Sequence, residues 1–360
     1  MSKRPGGAAE TERFAGQLLR WARIHGRKDL PWQPLPGSPA DPYRVWVSEI
    51  MLQQTQVQSV RGYFQRFIDR FPSLKALATA DLQEVLAVWS GLGYYARARN
   101  LHRAAQQIVA DWGGQFSDRA EDWQRLPGVG RSTAAAIVSI CFGQREAILD
   151  ANVRRVLARQ VMAQEPWGSA ALDQHLWQEA QDRLPTRPQD MPRYTQAMMD
   201  LGATVCLSRS PHCAACPVVG FCRAHAAGRV ADFPVPRAKA PRPSRRAFWL
   251  LVVYQSRIGL WQRPPEGIWG GLWMPWDIPA AEPWPQGSKP LTMLRHGFTH
   301  FTLEVEVRLI SPSTKARLLS LQRQSLGHGQ ALEFRPLAEF LALGLPAPVR
   351  RLLASSDLAG

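Results

Sequence analysis

Between residues 226 and 246 the chain carries Pro234, Pro236, Pro241 and Pro243, interleaved with Arg237, Lys239, Arg242, Arg245 and Arg246. Proline lacks the backbone N–H that a helix or a central strand needs, so regular structure cannot run through this stretch. It reads as an extended linker, and it divides the 360-residue chain into two parts with different periods. Before it, residues 11–225 read as helix after helix. Asp41 and Pro42 form a cap and first turn, and Val45, Trp46, Ile50 and Met51 then recur at helical spacing. The same pattern predicts helices over 81–89, 94–112, 133–141, 153–162 and 172–184. Gly91, Gly93, Gly113, Pro127, Gly128 and Gly130 punctuate them. After Ala247 the period changes. Residues 248–254, 258–262, 268–276 and 301–309 are rich in β-branched and aromatic side chains, and Thr302 to Leu309 alternates cleanly. The expected architecture is an all-α domain over 11–225, a linker over 226–246, and a mixed α+β domain over 247–355 that closes with a helix near 349–354.

The formal net charge is +15, carried mostly by arginine. A surplus of that size calls for a polyanionic partner, nucleic acid ahead of an acidic membrane surface, because guanidinium groups fork onto phosphates and stack on bases. No apolar run reaches the roughly 18 residues that a membrane span needs. Residues 1–10 lack the apolar stretch of a signal peptide. The expected setting is intracellular, cytoplasmic or nucleoid-associated in a bacterium, and reducing. There, paired cysteines hold metal more often than they form disulfides.

Cys206, Cys213, Cys216 and Cys222 fall within 17 residues as C-x6-C-x2-C-x5-C. Four thiolates at that density define a metal or cluster site, and spacing alone leaves tetrahedral zinc and [4Fe–4S] both open. The loop between them carries Arg209 and His212, which it would present to DNA. Cys141 stands apart in an apolar helix and reads as a packed thiol. Upstream, Leu126-Pro127-Gly128-Val129-Gly130-Arg131-Ser132-Thr133 joins two helical segments. Gly128 and Gly130 allow a tight turn, and the helix that follows points its free N–H groups outward, where a phosphate can bind without sequence being read. This is a helix-hairpin-helix pattern, spanning residues 126–134.

A hairpin, then Asp150, then four clustered cysteines resembles the endonuclease III superfamily of DNA glycosylases. Within it, three stretches resemble the MutY family of adenine glycosylases: Ser48-Glu49-Ile50-Met51-Leu52-Gln53-Gln54-Thr55-Gln56, Gly91-Leu92-Gly93-Tyr94-Tyr95-Ala96-Arg97-Ala98-Arg99-Asn100, and Gln196-Ala197-Met198-Met199-Asp200-Leu201-Gly202. The second domain adds Gly270-Gly271-Leu272-Trp273 and Phe298-Thr299-His300. The likeness runs from about residue 14 to 355. It implies a helix-hairpin-helix glycosylase domain with an iron–sulfur loop over 206–222, followed by a Nudix-like α+β domain. It also implies a [4Fe–4S] cluster on the four cysteines, and excision of adenine paired with 8-oxoguanine or guanine.

The chemistry fits the residues. Adenine leaves poorly as an anion, so a proton must reach the ring, and the sugar left behind becomes oxocarbenium-like and needs a negative neighbour. Glu49, in an apolar helical stretch where burial would hold its proton, is the expected general acid. Asp150, which would also cap the helix after it, is the expected stabiliser or transient nucleophile, and Asn152 would hold water or orient Asp150. Bifunctional relatives carry a lysine where Ser132 stands. Neither a serine nor the guanidinium of Arg154 can form a Schiff base, so a monofunctional enzyme that leaves an abasic site is expected.

The reacting adenine must leave the duplex. By the resemblance, Trp32, Leu52 and Asp200 line its pocket, while Gln54, Leu92 and Tyr94 enter the stack beside the oxidised guanine. The Nudix-like domain lacks the run of glutamates that holds magnesium in active Nudix enzymes. It is therefore expected to read the lesion through Phe298, Thr299 and His300. The family usually has serine where Thr299 stands, and threonine keeps the hydroxyl donor while adding a methyl. The expected partner is double-stranded DNA with adenine opposite 8-oxoguanine, met by a monomer without a membrane, and a downstream abasic-site endonuclease would take the product. Two rivals are a pyrimidine glycosylase with lyase activity and a silent DNA-binding iron–sulfur protein. Ser132 and Glu49 oppose the first, and the two intact carboxylates oppose the second.

Overall fold

A computed structural model describes residues 7–35, 37–237 and 241–355. Contacts divide the chain into two units. One comprises residues 1–68, 73–75 and 104–239, and the other 69–72, 76–103 and 240–360. Residues 69–72 and 76–103 thus group with the second unit although they lie within the helical 11–225 stretch.

The first unit is helical. Asp41 caps the Pro42–Leu52 helix by accepting from the Tyr43 N–H at 2.9 Å, with Pro42 in the first turn. The Arg131–Phe142 helix ends at Gly143, whose left-handed backbone (φ 68°) lets the chain turn away. The Ala151–Val161 helix begins at Asp150, and the Ala170–Asp182 helix at Ser169. Their apolar faces meet in one core through Leu18, Leu149, Val156, Leu157, Leu176 and Met198. The Met191–Asp200 helix runs directly into a π-helical turn, Leu201–Val205, and Cys206 follows.

The second unit is built on a seven-stranded sheet: β1 (Ser244–Tyr254), β2 (Arg257–Gln262), β3 (Trp273–Met274), β4 (Trp276–Ile278), β5 (Lys289–Gly297), β6 (Thr302–Ile310) and β7 (Glu333–Arg335). The order is β3-β2-β1-β6-β5, with β4 on β1 and β7 on β2. β1 and β6 run parallel from Ser244↔Thr302 to Val252↔Ile310, and the other pairs are antiparallel. Val305 and Val307 point into a core with Trp249, Leu251, Leu321, Phe340 and Leu352, the last from the closing Ala347–Leu353 helix.

Three expectations shift. The first strand starts at Ser244, inside the stretch read as linker, because its ladder to β6 supplies partners on one side. Lys239 of that stretch lies outside the described residues. Residues 268–272 form a turn instead of a strand. At Gly270 an added Cβ would meet the Pro265 carbonyl oxygen at 2.3 Å, and Trp269 and Gly271 adopt positive φ, so an apolar run here folds back on itself. The helix expected from 94 starts at Ala96, because Tyr94 takes a left-handed φ of 51° that no helix continues.

Candidate active site

Glu49 sits on the Pro42–Leu52 helix among buried Val45, Trp46, Val47, Ser48 and Ile50. Its carboxyl makes no hydrogen bond within the described residues, and part of it remains open to a ligand. Burial, and after it the charge of Asp150, pushes its pKa from 4.5 up to about 8. Glu49 therefore holds a proton at neutral pH.

Asp150 follows the buried run Ala147-Ile148-Leu149, which pins it at the edge of the core. Its Oδ1 accepts from the Val153 N–H at 2.7 Å, so it caps the next helix, and its Oδ2 accepts from Asn152 Nδ2 at 3.3 Å. Burial raises its pKa, but the Val153 N–H, the Asn152 amide and the Arg155 charge all work against that rise. Glu49 has no such donors. Burial thus pushes both carboxyls towards the neutral form, and what sets Asp150 apart is the set of donors that supports its anion, which Glu49 lacks.

Ser132 Oγ accepts from the Leu149 N–H at 3.0 Å, which ties the hairpin helix to the segment that carries Asp150. In the hairpin, Gly128 has φ 78° and its carbonyl accepts from Gln53 Nε2 at 3.2 Å. Gly130 is the N-cap of the Arg131–Phe142 helix and offers no side-chain acceptor, so the first N–H groups stay available to an anion. An added Cβ on Gly130 would stand in open space, and a backbone phosphate can approach there.

Trp32 is 6% exposed and packs edge-on against Phe64 at 5.4 Å, so much of its ring serves the core. Leu52 is partly exposed at the end of the Glu49 helix. Gln54 follows in the next turn, exposed, with φ 57°. Asp200 is 1% exposed and fully partnered: Arg27 gives its backbone N–H (2.9 Å) and Nε (2.7 Å), and Gln196 gives its amide at 2.8 Å. In the second unit Leu92 is buried and Tyr94 is 48% exposed. Phe298 and Phe301 stack at 4.5 Å, and the Phe298 N–H donates to the Phe301 carbonyl at 2.8 Å. This closes a tight turn that leaves Thr299 and His300 exposed at its tip.

Sequence reading missed three arginines. Arg27 holds Asp200. Arg155 donates from Nη2 to Asn152 Oδ1 (3.0 Å) and the Gly202 carbonyl (2.6 Å), and from Nε to the Cys206 carbonyl (2.7 Å). Arg159, 2% exposed, reaches the carbonyls of Phe233, Leu207 and Ser208 and the Cys206 sulfur at 3.2 Å. An arginine ordinarily reads as a solvated side chain, and no periodicity marks these as different.

The four cysteines line the loop after the π turn, each partly exposed. Burial raises the Cys216 thiol to about 11, and repulsion from Cys206, Cys222 and Cys213 adds to that. Four thiols on one loop are the donor type that a metal or cluster takes, and the Arg159 guanidinium already contacts the Cys206 sulfur. Among the described residues, no three His, Cys, Asp or Glu groups come close enough together to chelate a single ion. Cys141 lies elsewhere, with burial pushing its thiol up to about 12. No helix of the described residues is long and apolar enough to cross a membrane.

Two buried carboxyl residues thus lie with a helix-hairpin-helix turn in one helical unit, and residues 47–180 match the HhH-GPD superfamily of base excision DNA repair proteins. Residues 247–355 match the NUDIX domain. The chain is 32% identical to an adenine DNA glycosylase of Buchnera aphidicola (from Acyrthosiphon pisum) over 94% of this chain and 96% of that one. It is 35% identical to the human adenine DNA glycosylase, over 83% and 67% respectively. It belongs to the adenine DNA glycosylases, enzymes of base-excision repair that cut the N-glycosidic bond of adenine in DNA. A thermostable thymine-DNA glycosylase has a similar fold, with TM-score 0.51 and 25% identity over 61% of this chain and 99% of that one.

Proposed function

We propose that the enzyme is a monofunctional glycosylase for adenine opposite 8-oxoguanine, and that Glu49 is its acid. The observation that carries the reading is the placement of Glu49 among buried apolar side chains, which favours its protonated form, together with an Asp150 carboxyl that accepts from Val153 and Asn152. Glu49 delivers that proton to the adenine ring as the glycosidic bond breaks. Asp150 stays ionised beside the sugar, balances its developing positive charge, and is steered by Asn152. Water then adds to the sugar and gives up a proton to the Glu49 carboxylate, which restores the acid for the next turnover. Ser132 brings no amine to this chemistry, and its hydroxyl is occupied by the Leu149 N–H, which supports hydrolysis over imine formation.

The Phe298-Thr299-His300 turn offers a hydroxyl and an imidazole on an aromatic base, which suits reading the oxidised guanine, while Leu92, Tyr94 and Gln54 refill the stack. Cys206, Cys213, Cys216 and Cys222 would hold a [4Fe–4S] cluster that shapes their loop and supplies no step of the hydrolysis. The test is single-turnover excision from duplexes with adenine opposite 8-oxoguanine, guanine or cytosine, scored before and after hot alkali. Breakage that requires alkali and is fastest opposite 8-oxoguanine is expected. Breakage without alkali, with a borohydride-trapped adduct in good yield, overturns the monofunctional assignment.

A further inference from the structure

The turn that carries Leu92 and Tyr94 is held on both sides. Within it, the Gly93 carbonyl accepts from Trp89 Nε1 (3.1 Å) and Arg97 Nη2 (3.2 Å), and the Arg97 guanidinium lies over the Tyr94 ring at 5.1 Å. Gly91 and Gly93, with φ 101° and 81°, allow the sharp reversal. The turn is then tied to the sheet part of the same unit. Buried Tyr95 accepts from the Gly91 N–H at 3.2 Å and donates its hydroxyl to the Leu345 carbonyl at 2.6 Å. Arg350 donates to Ser90 Oγ at 3.0 Å and to the Leu343 carbonyl at 3.2 Å.

One turn further along, Arg99 Nη1 donates to the Gly270 carbonyl at 2.8 Å, and Gln83 Nε2 donates to the Gly271 carbonyl at 3.1 Å. Gly270 has no room for a side chain, because its backbone packs directly on that of Pro265 and Glu266. Its neighbour Trp269 faces Phe298 at 5.1 Å and His296 at 5.5 Å. Phe298 in turn stacks on Phe301 at the base of the Thr299-His300 tip. A chain of packed and bonded groups therefore runs from Tyr95, whose carbonyl accepts from the Arg99 N–H at 3.1 Å, through Arg99, Gly270 and Trp269 to Phe298.

We infer that Tyr95 and Arg99 are positioning residues that make the Leu92-Gly93-Tyr94 turn and the Phe298-Thr299-His300 turn one rigid lesion-reading element. The inference rests on the proposed reading of 8-oxoguanine. Its physical basis is geometric. A modified base recognised at once from the stack and from its edge is discriminated only if both reading groups keep their spacing within about half an ångström. Hydrogen bonds from one turn to the backbone of the other's support hold that spacing, and neither Tyr95 nor Arg99 needs to touch DNA.

Two minimal substitutions in the full chain test this. Tyr95→Phe removes only the hydroxyl, and Arg99→Met keeps the apolar stem while deleting the donors. Single-turnover excision is measured opposite 8-oxoguanine and opposite guanine, alongside thermal melts. The expected result for the double variant is a preference for 8-oxoguanine reduced by about tenfold or more, worth roughly 1.4 kcal/mol. Its rate opposite guanine should stay near wild type, and Arg99→Lys should keep more of the preference than Arg99→Met. A preference unchanged in the double variant, or both rates falling in parallel with the melting temperature, overturns the inference and leaves the lesion reading standing. A wild-type protein with no preference for 8-oxoguanine overturns the lesion reading, and this inference with it.

Discussion

Arg155 Nη2 lies 3.0 Å from Asn152 Oδ1, and Asn152 Nδ2 in turn reaches Asp150 at 3.3 Å. The same guanidinium is bound to the Cys206 and Gly202 carbonyls, so one side chain connects the base of the cysteine loop to the residue that holds the Asp150 carboxylate. Arg155→Met strips all three acceptors of their donor, and hydrogen bonds to a charged group are worth about 1.5–3 kcal/mol each. Displacing Asp150 by about 1 Å is enough to cost about a hundredfold in rate. Single-turnover excision should fall by about that factor, and Arg155→Lys should rescue little because an ammonium cannot fork to several carbonyls. Wild-type excision by Arg155→Met would remove this link from the mechanism.

Gly202 is the one residue type that fits beneath Asn152. A Cβ at this position would stand 2.6 Å from Asn152 Cβ and 3.0 Å from its carbonyl oxygen. Gly202→Ala must therefore push the Asn152 backbone, with about 1–3 kcal/mol of overpacking strain. The expected variant melts earlier and excises adenine more slowly while it still binds duplex DNA. Unchanged kinetics with normal folding would show that Asn152 tolerates the shift.

The acid–base pair sets a pH profile. The chemical step should be level near neutrality and decline as pH rises past about 8, where Glu49 loses its proton. On the acid side it should decline at a pH above that of an ordinary aspartate, because the Asp150 pKa is raised from 3.8. Stability follows the same proton. Between 4.5 and about 8 the folded chain keeps a proton on Glu49 that the unfolded chain has lost, so the Glu49 contribution to stability is full below 4.5 and shrinks as pH climbs to about 8. Glu49→Gln should abolish excision, and its gain in melting temperature over wild type should be larger at pH 8 than at pH 5. A gain that is the same at both would contradict a buried, protonated Glu49.

Arg27 and Asp200 form a pair in which the carboxylate is almost wholly enclosed, with Arg27 Nε at 2.7 Å. Breaking such a pair from one side leaves a buried charge without its cation, at about 3–5 kcal/mol. Arg27→Met should lower the denaturation midpoint accordingly, and Asp200→Asn in the same chain should recover part of the loss. Denaturant unfolding of the single and double variants checks this.

Cys216→Ser leaves three sulfurs in a loop whose backbone Arg155 and Arg159 grip at Cys206, Leu207 and Ser208. Iron content and visible absorbance should be present in the purified wild type and lost in this variant, with excision falling alongside. Zinc in place of iron in the wild type would identify the other metal that the cysteine spacing allows.

The helical and α+β halves were legible because hydrophobic period and proline placement act over a few residues, and the physics of both is local. The Ile268 stretch misled for the same reason. Its composition suits a strand, but the close approach of Pro265 to Gly270 imposes a turn. The boundary near Ser244 was equally invisible, since a strand is decided by its distant partner Thr302.

The amino-acid order alone settled which groups the chemistry has to work with: two carboxyl residues, a glycine hairpin with serine where a nucleophilic amine would stand, and four close-set thiols. It could do so because each is a matter of residue type and short spacing. Only tertiary structure decided what those groups are worth. Arg27 meets Asp200 across 173 residues, Arg155 meets Cys206 across 51, and Tyr95 meets Leu345 across 250. The proton on Glu49 depends on what surrounds it once the chain has folded, because a pKa reports solvation and neighbouring charge, and neither exists until distant segments pack together.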